Sequence, residues 1–420
     1  MTRRMWGIGG AVVLLAALAV GCSDDSSSDS SDDTTDAAAD EDLLGPVDEA
    51  TGEPVKIGMV SDGQTDAFDN TDELRAAEAT AEYYNQHQAG VDGRPVEVVT
   101  CETGGTPDGA TDCGNQMVEE DVVAVALSQS AVSEALWETL NPAAIPTWFF
   151  QASGESITAD DQSSFVVFSP TSTLFSLPIS VAENEDADKI DFVTIDVPQA
   201  LNIFQEDGPA VLESAGLDYE LIPIPIGTAD MTLQMQEVAD GGAGVVQVVG
   251  NDAFCIAAFN GLNTVAYDGA VTTINQCITD VTRESVAGDV LEGINVTATI
   301  ALGATDDPTF QLYEAVMATY GEDVTDVNNA TAMGGYSAMA SLLTALDGIG
   351  GQINVDTVVD TIRTMEESEL PGGGGVTYQC GGPASEELPA VCTDQSLRTQ
   401  LDGEGQPTTY EIVNPDELFE

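Results

Sequence analysis

The sequence has very little positive charge. Of its 420 residues, 9 are lysine or arginine and 73 are aspartate or glutamate, which gives a formal net charge of -64 at pH 7. A chain this acidic repels polyphosphate backbones, so we expect no nucleic-acid partner. The single histidine, His87, leaves zinc without its commonest ligand and a Ser-His-Asp triad with one possible base. The composition therefore predicts no metal site and no cofactor, and it disfavours most hydrolase functions.

Long apolar runs are also scarce. The run at residues 6–20 follows Arg3 and Arg4 and is shorter than the roughly 20 residues that a membrane-spanning helix needs. Residues 1–21 therefore predict a signal peptide. The residues before Cys22 resemble a bacterial lipobox, with Ala19 where that motif usually carries leucine. We expect a lipid on Cys22 that anchors the exported chain to the outer face of the cell membrane. An ordinary secretory cleavage, which would leave the chain extracytoplasmic or periplasmic, is the alternative.

The segment that follows is acidic and rich in serine and aspartate. Residues 22–54 contain twelve acidic residues and no basic ones. Such a segment cannot bury enough apolar surface to offset its ordering entropy, so we expect a disordered tether. A calcium-binding tract is the alternative, but the ligand spacing and the turn glycine of an EF-hand loop are missing.

Six further cysteines fall into three couples that are close in the sequence. An exported chain can oxidise them, and their even number together with the lack of any C-x-x-C spacing favours disulfides over a metal or redox site. Six cysteines allow fifteen connectivities, so local pairing is a preference, and free buried thiols are the alternative. The couples are Cys101 with Cys113, Cys255 with Cys277, and Cys380 with Cys392.

From Val55 onward, short apolar runs alternate with amphipathic stretches. Runs that are apolar on both faces are typical of parallel strands covered by helices on both sides. Repeated strand-helix units predict an α/β fold with doubly wound parallel sheets. Because the alternation continues to about residue 300, two lobes are expected rather than one sheet. The apolar runs lie at 55–60, 96–101, 122–127, 145–150, 190–195, 221–226, 245–249 and 271–274.

Several short segments, in this order and spacing, resemble the solute-binding proteins of branched-chain amino-acid ABC transporters, which have the type I periplasmic-binding fold. The resemblance covers about residues 54–360. Its segments include Val-Lys-Ile-Gly at 55–58, Gly-Arg-Pro at 93–95, Ser-Gln-Ser at 128–130, Ile-Pro-Thr at 145–147, Tyr-Asp-Gly at 267–269 and Gly-Tyr-Ser-Ala at 335–338.

This resemblance implies two lobes joined by a three-crossover hinge. The first lobe would take residues 55–172 and 301–346, and the second would take 173–300 and 347–420. The lobes would close on a small solute and deliver it to an ABC permease in the membrane. The Cys101 and Cys113 couple also resembles a first-lobe disulfide of that family.

Residues that follow two first-lobe strands are candidates for solute binding. In open α/β sheets, ligands bind beyond the carboxyl ends of the strands, where backbone N–H groups and serine hydroxyls can hold a carboxylate. The strand at 122–127 places Ser128 and Ser130 there. The resemblance assigns Ser130, Ala152 and Ser153 to the carboxylate and backbone of the ligand. The alternative is that these serines cap helices and face solvent.

The second lobe offers weaker candidates. Asn251 follows the strand at 245–249, and Asp280 lies in a turn where the family offers an acid to the amino group of the ligand. Each could instead cap a helix, with Asp280 placed ahead of Arg283. The turn at 196–201 lacks the aromatic residue that family members often carry, which weakens the assignment of an amino acid as the solute.

The sequence therefore predicts the solute-binding protein of an importer, with an amino acid or a related carboxylate or amide as solute. A sensory receptor subunit of the same fold is one alternative. An exported hydrolase is the other, although the Gly-Glu-Ser-Ile-Thr segment at 154–158 lacks the last glycine of a nucleophile elbow.

Overall fold

The computed structural model describes residues 43–65, 69–152, 154–206, 208–386 and 388–414. The predicted signal peptide, Cys22 and most of the predicted tether lie outside these residues. The described chain contains two large, mostly parallel β-sheets with helices packed on them, as predicted. A two-stranded antiparallel ribbon completes the strands.

The first sheet has six strands, all paired in parallel, in the order β13-β5-β4-β3-β1-β2. Its central strands are buried on both faces, which explains why their sequences are almost continuously apolar. The strands are β1 (Val55–Ser61), β2 (Val96–Glu102), β3 (Ala124–Leu127), β4 (Thr147–Gln151), β5 (Ser164–Phe168) and β13 (Val391–Thr393).

The second sheet has seven strands in the order β15-β14-β10-β9-β8-β6-β7. Five of them pair in parallel, and two strands from the C-terminal part of the chain add antiparallel pairs at one edge. The strands are β6 (Lys189–Ile195), β7 (Asp218–Ile224), β8 (Val245–Val249), β9 (Ala270–Ile274), β10 (Asn295–Ala298), β14 (Ser396–Gln400) and β15 (Glu411–Val413). The ribbon consists of β11 (Ser368–Glu369) and β12 (Thr377–Tyr378).

Helices connect successive parallel strands. One start signal is confirmed: Thr106 accepts a hydrogen bond from the backbone N–H of Gly109, and Pro107 is the first helical residue. The helices are α1 (Thr71–His87), α2 (Pro107–Glu119), α3 (Ser133–Leu140), α4 (Glu155–Thr158), α5 (Pro170–Asn184), α6 (Pro198–Glu206), α7 (Gly208–Ser214), α8 (Thr232–Gly241), α9 (Asp252–Thr264), α10 (Asp280–Ser285), α11 (Gly288–Leu291), α12 (Pro308–Tyr320), α13 (Ala330–Ala345) and α14 (Val355–Arg363).

The chain crosses between the two sheets three times. The first crossing leads from β5 into α5, which packs on the second sheet, and the second leads from β10 into α12. The third lies between β13 in the first sheet and β14 in the second. The described chain therefore has the three crossovers that the resemblance implied.

The third crossing comes later in the chain than the expected boundary at residue 346. Val358 and Ile362 of α14 belong to the core of the first lobe, and β13 pairs with β5. The second lobe takes only the chain from β14 onward rather than the whole tail from 347. The place of β13 in the first lobe was not predictable from the sequence, because this strand has three residues and shows no usable periodicity.

The structure joins the six described cysteines in the three couples that are close in the sequence. The bond between Cys101 and Cys113 ties the end of β2 to α2, with 5.7 Å between the Cα atoms. In the second lobe, Cys255 of α9 is bonded to Cys277, which follows β9, with a Cα separation of 5.5 Å. The third bond joins Cys380 to Cys392 of β13.

Candidate functional site

The carboxyl end of β1 carries an acidic residue that the sequence did not single out. Asp62 follows Ser61 directly, and its side chain is 6% exposed. Its Oδ1 atom accepts hydrogen bonds from the hydroxyls of Ser130, at 2.6 Å, and Thr103, at 2.7 Å. Its Oδ2 atom accepts the backbone N–H of Ala131 at 2.8 Å. One carboxylate thus joins the ends of β1, β2 and β3.

Ser130, a predicted solute ligand, lies within this network. Its hydroxyl donates to Asp62 and accepts the backbone N–H of Val132 at 3.1 Å. Its carbonyl oxygen accepts the hydroxyl of Ser133, the first residue of α3. Ser130 therefore shapes the turn from β3 into α3, whether or not it also contacts a solute.

A second buried carboxyl group lies beside Ser128, another predicted ligand. Glu73, in the first turn of α1, is 3% exposed, and its side chain is hydrogen-bonded to Ser61 and Ser128. Burial raises the pKa of Glu73 to about 8, and the nearby charge of Asp62 acts in the same direction, while the two serine hydroxyls oppose it.

The hydrogen bonds around Glu73 are consistent with a protonated carboxyl group. The Ser61 hydroxyl lies 2.6 Å from Glu73 Oε2 and 3.1 Å from the carbonyl oxygen of Asn70. That hydroxyl has one hydrogen, so it cannot donate to both acceptors. If Glu73 carries a proton, it donates to Ser61, and Ser61 donates to Asn70. Each of the two contacts of the Ser61 hydroxyl then has its own hydrogen.

Glycines on α13 allow this part of the site to close. A Cβ atom on Gly334 would lie 2.6 Å from the Ser128 hydroxyl oxygen, and one on Gly335 would lie 2.2 Å from the backbone oxygen of Glu73. The helix therefore approaches α1 and the end of β3 at distances that only glycine permits.

The next strand, β4, leads to the other first-lobe candidates. Ala152 follows its last residue and is 5% exposed, so it lies among buried groups at the same edge of the sheet. Ser153 lies outside the described residues. The structure thus places Ser128, Ser130 and Ala152 after the carboxyl ends of the neighbouring strands β3 and β4, and their roles in solute binding stay predictions.

The second-lobe candidates occupy the carboxyl ends of β8 and β9. Asn251 caps α9, because its Oδ1 atom accepts the backbone N–H of Phe254 at 3.0 Å. The Asp280 side chain is 85% exposed and lies 2.9 Å from Arg283 Nη1. Thr279, not Asp280, caps α10. Roles of Asn251 and Asp280 in solute binding stay predictions.

Two glutamines link the lobes at this edge. The side-chain N–H of Gln276, which follows β9, donates to Gln129 Oε1 at 3.4 Å. Gln129 follows β3 and is exposed. Cys277, next to Gln276, is buried and bonded to α9, so the disulfide fixes the loop that carries this contact. The carboxyl ends of β3 and β9 therefore face each other across the space between the lobes.

The sequence matches the profile of the periplasmic binding protein family over residues 54–394, which is most of the chain. The chain belongs to the periplasmic binding protein family. Because ligands of open α/β sheets bind beyond the carboxyl ends of the strands, the space between the lobes is the candidate site of this family member.

Solved periplasmic binding proteins share the fold at low sequence identity. The branched-chain amino acid transporter substrate-binding protein LivJ from Streptococcus pneumoniae, in complex with isoleucine, is 15% identical, with a TM-score of 0.67 over 86% of this chain and 100% of that one. A fatty acid ABC transporter substrate-binding protein from Thermomonospora curvata is 17% identical, with a TM-score of 0.67 over 88% and 94% of the two chains. A solute-binding protein from R. palustris, in complex with 4-hydroxybenzoate, is 17% identical, with a TM-score of 0.68 over 87% and 98%. A search of curated proteins found no match.

A cavity of about 510 Å³ lies elsewhere on this periplasmic binding protein. Its lining includes Asn141, which follows α3, and Asp160, which precedes β5. The cavity is therefore displaced from the carboxyl ends of the strands, and we do not assign the solute to it. Among the described residues, no helix is long and apolar enough to cross a membrane, and no three acidic, histidine or cysteine residues form a metal-binding group.

Proposed function

We propose that this chain is the extracytoplasmic solute-binding protein of an ABC importer. It captures a small solute between the two lobes and delivers it to a membrane permease. The observation that carries the proposal is the approach of the strand ends of both lobes, where Gln129 and Gln276 meet, in a chain with the three crossovers of its family.

The three proteins of known structure that share the fold support a role in import, and they differ in the solute with which they are associated. One was solved in complex with isoleucine, one belongs to a fatty acid transporter, and one was solved in complex with 4-hydroxybenzoate. Since none is more than 17% identical to this chain, no one of these solutes transfers to it. The branched-chain amino acid suggested by the sequence is one member of the solute panel to be tested.

Closure of the lobes would couple binding to delivery. A solute that touches both lobes favours the closed arrangement by the difference between its affinities for the closed and open states. The crossing segments after β5, after β10 and between β13 and β14 are the places where the chain can bend. A permease would then distinguish the loaded form from the empty one by the relative position of the lobes.

The predicted location fits the three disulfides, which persist in oxidising compartments outside the cytoplasm. We propose that residues 1–21 direct export and that Cys22 carries a lipid, with residues 22–54 as the tether. Mass spectrometry of the mature protein tests this step. A diacylglycerol mass on Cys22 is the expected result, and an unmodified N-terminus downstream of Cys22 would contradict lipidation.

The central test is a thermal-shift screen at high salt over amino acids, amides, amines and small carboxylates. A solute at 100 times its Kd should stabilise the folded form by about 2.7 kcal/mol and raise the Tm accordingly. Interlobe distances measured by fluorescence transfer should shorten with the same compound. If no compound raises the Tm, or if a hit is converted into product, the proposal fails.

A pair of variants tests the place of binding. Gln276→Ala removes the contact with Gln129 and should weaken binding of any hit. Gln236→Ala is the matched control, because Gln236 is an exposed residue of α8 that donates to Asp240 in the same lobe. Equal affinities of both variants and the wild type would argue against closure across Gln129 and Gln276.

A further inference from the structure

We infer that the first lobe binds a solute head group that donates hydrogen bonds, such as an ammonium or amide group, and that it rejects a free carboxylate. The inference rests on the proposed function, since it concerns the same space between the lobes. It reverses the sequence-based expectation that Ser130 and neighbouring N–H groups hold a carboxylate.

The hydroxyl and N–H groups that could bind a solute carboxylate in the first lobe already donate hydrogen bonds within the chain. The Ser130 hydroxyl and the N–H of Ala131 both donate to Asp62, and the Thr103 hydroxyl completes the set. The carboxylate of Asp62 thus takes the hydrogen bonds that the carboxylate of a solute would need. A second carboxylate there would meet the charge of Asp62 without gaining these donors, and close like charges repel.

Asp62 retains capacity for a donor from the solute. A carboxylate has about four acceptor positions, and three donors occupy positions on Asp62, two on Oδ1 and one on Oδ2. The position left on Oδ2 can accept an N–H group. The side chain is 6% exposed, so such a bond would form in largely dry surroundings, where charge-assisted hydrogen bonds are strong.

No free cation is available nearby to bind a carboxylate instead. Seven basic side chains fall within the described ranges, and six of them have polar partners there. Arg363 lies over the ring of Phe165 near the start of β5, away from the carboxyl ends of the strands, although its Nη2 atom has no hydrogen-bond partner among the described residues. Arg75 in α1 and Arg283 in α10 are both held by acidic neighbours. The partners are Glu120 for Lys56, Asp72 for Arg75, the carbonyls of Glu53 and Pro54 for Arg94, Asp191 and Glu220 for Lys189, Asp280 for Arg283, the ring of Phe165 for Arg363 and Glu411 for Arg398.

Acidic residues at the same edges favour a positive head group. Glu102 ends β2 in the first lobe and is exposed, while Asp196 follows β6 and Asp280 begins α10 in the second, both exposed. Their summed field attracts cations and repels anions, and salt screens it beyond about 10 Å at 0.1 M. This field and the occupied donors around Asp62 both disfavour a carboxylate and favour a positive head group.

The experiment compares head groups on the same apolar tails. Isoamylamine, 4-methylpentanamide and 4-methylpentanoate form one series, benzylamine, benzamide and benzoate a second, and leucinamide with leucine a third. Binding is measured by thermal shift and titration calorimetry at fixed salt and pH. In at least one series, the amine or amide should bind at least tenfold more tightly than the matched carboxylate.

The outcomes separate the two proposals. If compounds bind but no series shows the tenfold preference for the amine or amide over its matched carboxylate, the inference is overturned and the solute-binding function is left intact. If no compound of any series binds, the proposed function fails, and the inference fails with it. The wild-type comparison needs no variant and so does not depend on the folding of one.

A variant then tests Asp62 itself. Asp62→Asn removes the charge and one acceptor atom, so binding of the amine or amide should fall at least tenfold and the preference over the carboxylate should shrink. Asp160→Asn is the matched control, because Asp160 accepts the backbone N–H groups of Gln162, Ser163 and Ser164 before β5, at the opposite edge. If Asp62→Asn keeps the wild-type preference, Asp62 does not set it.

Discussion

The two lobes present different surfaces to the space between them. In the first lobe, the polar groups at the strand ends are buried and bonded to one another, as with Asp62 and Ser130 or Glu73 and Ser128. In the second lobe, Asp280 is exposed and Gln276 is half-buried on a loop held by a disulfide. The first surface is therefore set by its own internal bonds, whereas the second is free to adjust to a solute.

This difference assigns separate tasks to the lobes. In the first lobe, most hydrogen-bond donors and acceptors are already bonded to one another. Such a surface binds only solutes that complement its few unoccupied positions, so it discriminates mainly by rejecting other solutes. A surface of exposed side chains contributes contacts at closure with little rearrangement of its core. Changes in the first lobe should therefore affect stability strongly, and changes in the second should affect mainly binding.

The largest expected effect comes from the close helix contact in the first lobe. Gly335→Ala would place a Cβ atom 2.2 Å from the backbone oxygen of Glu73, and backbone cannot move aside as a flexible side chain can. We expect a loss of at least about 3 kcal/mol in the free energy of unfolding, measured by urea denaturation.

A glycine-to-alanine change in the second lobe should be less costly. Gly261→Ala in α9 would meet Met235 Cγ at 2.8 Å, and a side chain can shift to relieve part of such a contact where backbone cannot. The cost should therefore be clearly smaller than that of Gly335→Ala, and it is partly offset by the better helix propensity of alanine. Gly350→Ala, with no atom within 4 Å, should be close to neutral. Equal losses at Gly335 and Gly261 would break the contrast between the lobes.

A pH-dependent loss of stability is expected from the buried carboxyl group of Glu73. Burial raises its pKa to about 8 in the folded chain, against an ordinary value near 4.5. Between these values the unfolded chain releases the proton and the folded chain keeps it, so stability falls as pH rises from about 4.5 to about 8. The slope from this group is at most about 1.4 kcal/mol per pH unit.

Glu73→Gln should remove that slope. The variant should gain stability relative to the wild type as pH rises through this window, and the difference should level off above pH 8. Urea denaturation at pH 5, 6, 7 and 8 measures it. Leu233→Ala, which changes no titratable group at an exposed position of α8 in the second lobe, is the control and should show a constant difference. A constant difference for Glu73→Gln as well would mean that Glu73 is ionised in the folded chain.

The fold followed from the sequence because each buried parallel strand leaves a local signature. The runs at 190–195 and 245–249 appear as β6 and β8 with at most one residue of difference. The third crossover was misplaced because β13 is too short to show a pattern, and its place depends on pairing with β5. A local sequence pattern indicates that a strand is buried, but it does not indicate which distant strand pairs with it.

The site was predictable only in part, for the same reason. Strand ends located Ser128 and Ser130, but nothing local distinguishes Asp62 and Glu73 among 73 acidic residues. Their special surroundings come from Thr103, Ser130 and Gly335, which are distant in the sequence and meet only in the folded chain. The proposed preference against a carboxylate therefore rests on contacts of Asp62 that form only in the folded chain.

The smallest effect distinguishes a helix cap from a solute contact in the second lobe. Asn251→Ala removes the acceptor for the Phe254 N–H and should cost about 1 kcal/mol in unfolding free energy. Asn329→Ala, which removes the equivalent cap on α13 in the first lobe, where Asn329 accepts the Ala332 N–H at 2.8 Å, should cost about the same. Only Asn251→Ala should also weaken solute binding in calorimetric titration, because Asn251 lies at the carboxyl end of β8, while Asn329 only begins a helix. If both variants bind the solute as the wild type does, Asn251 only caps α9 and does not contact the solute. Gln276 and its loop would then be the remaining part of the second lobe that adjusts to the solute.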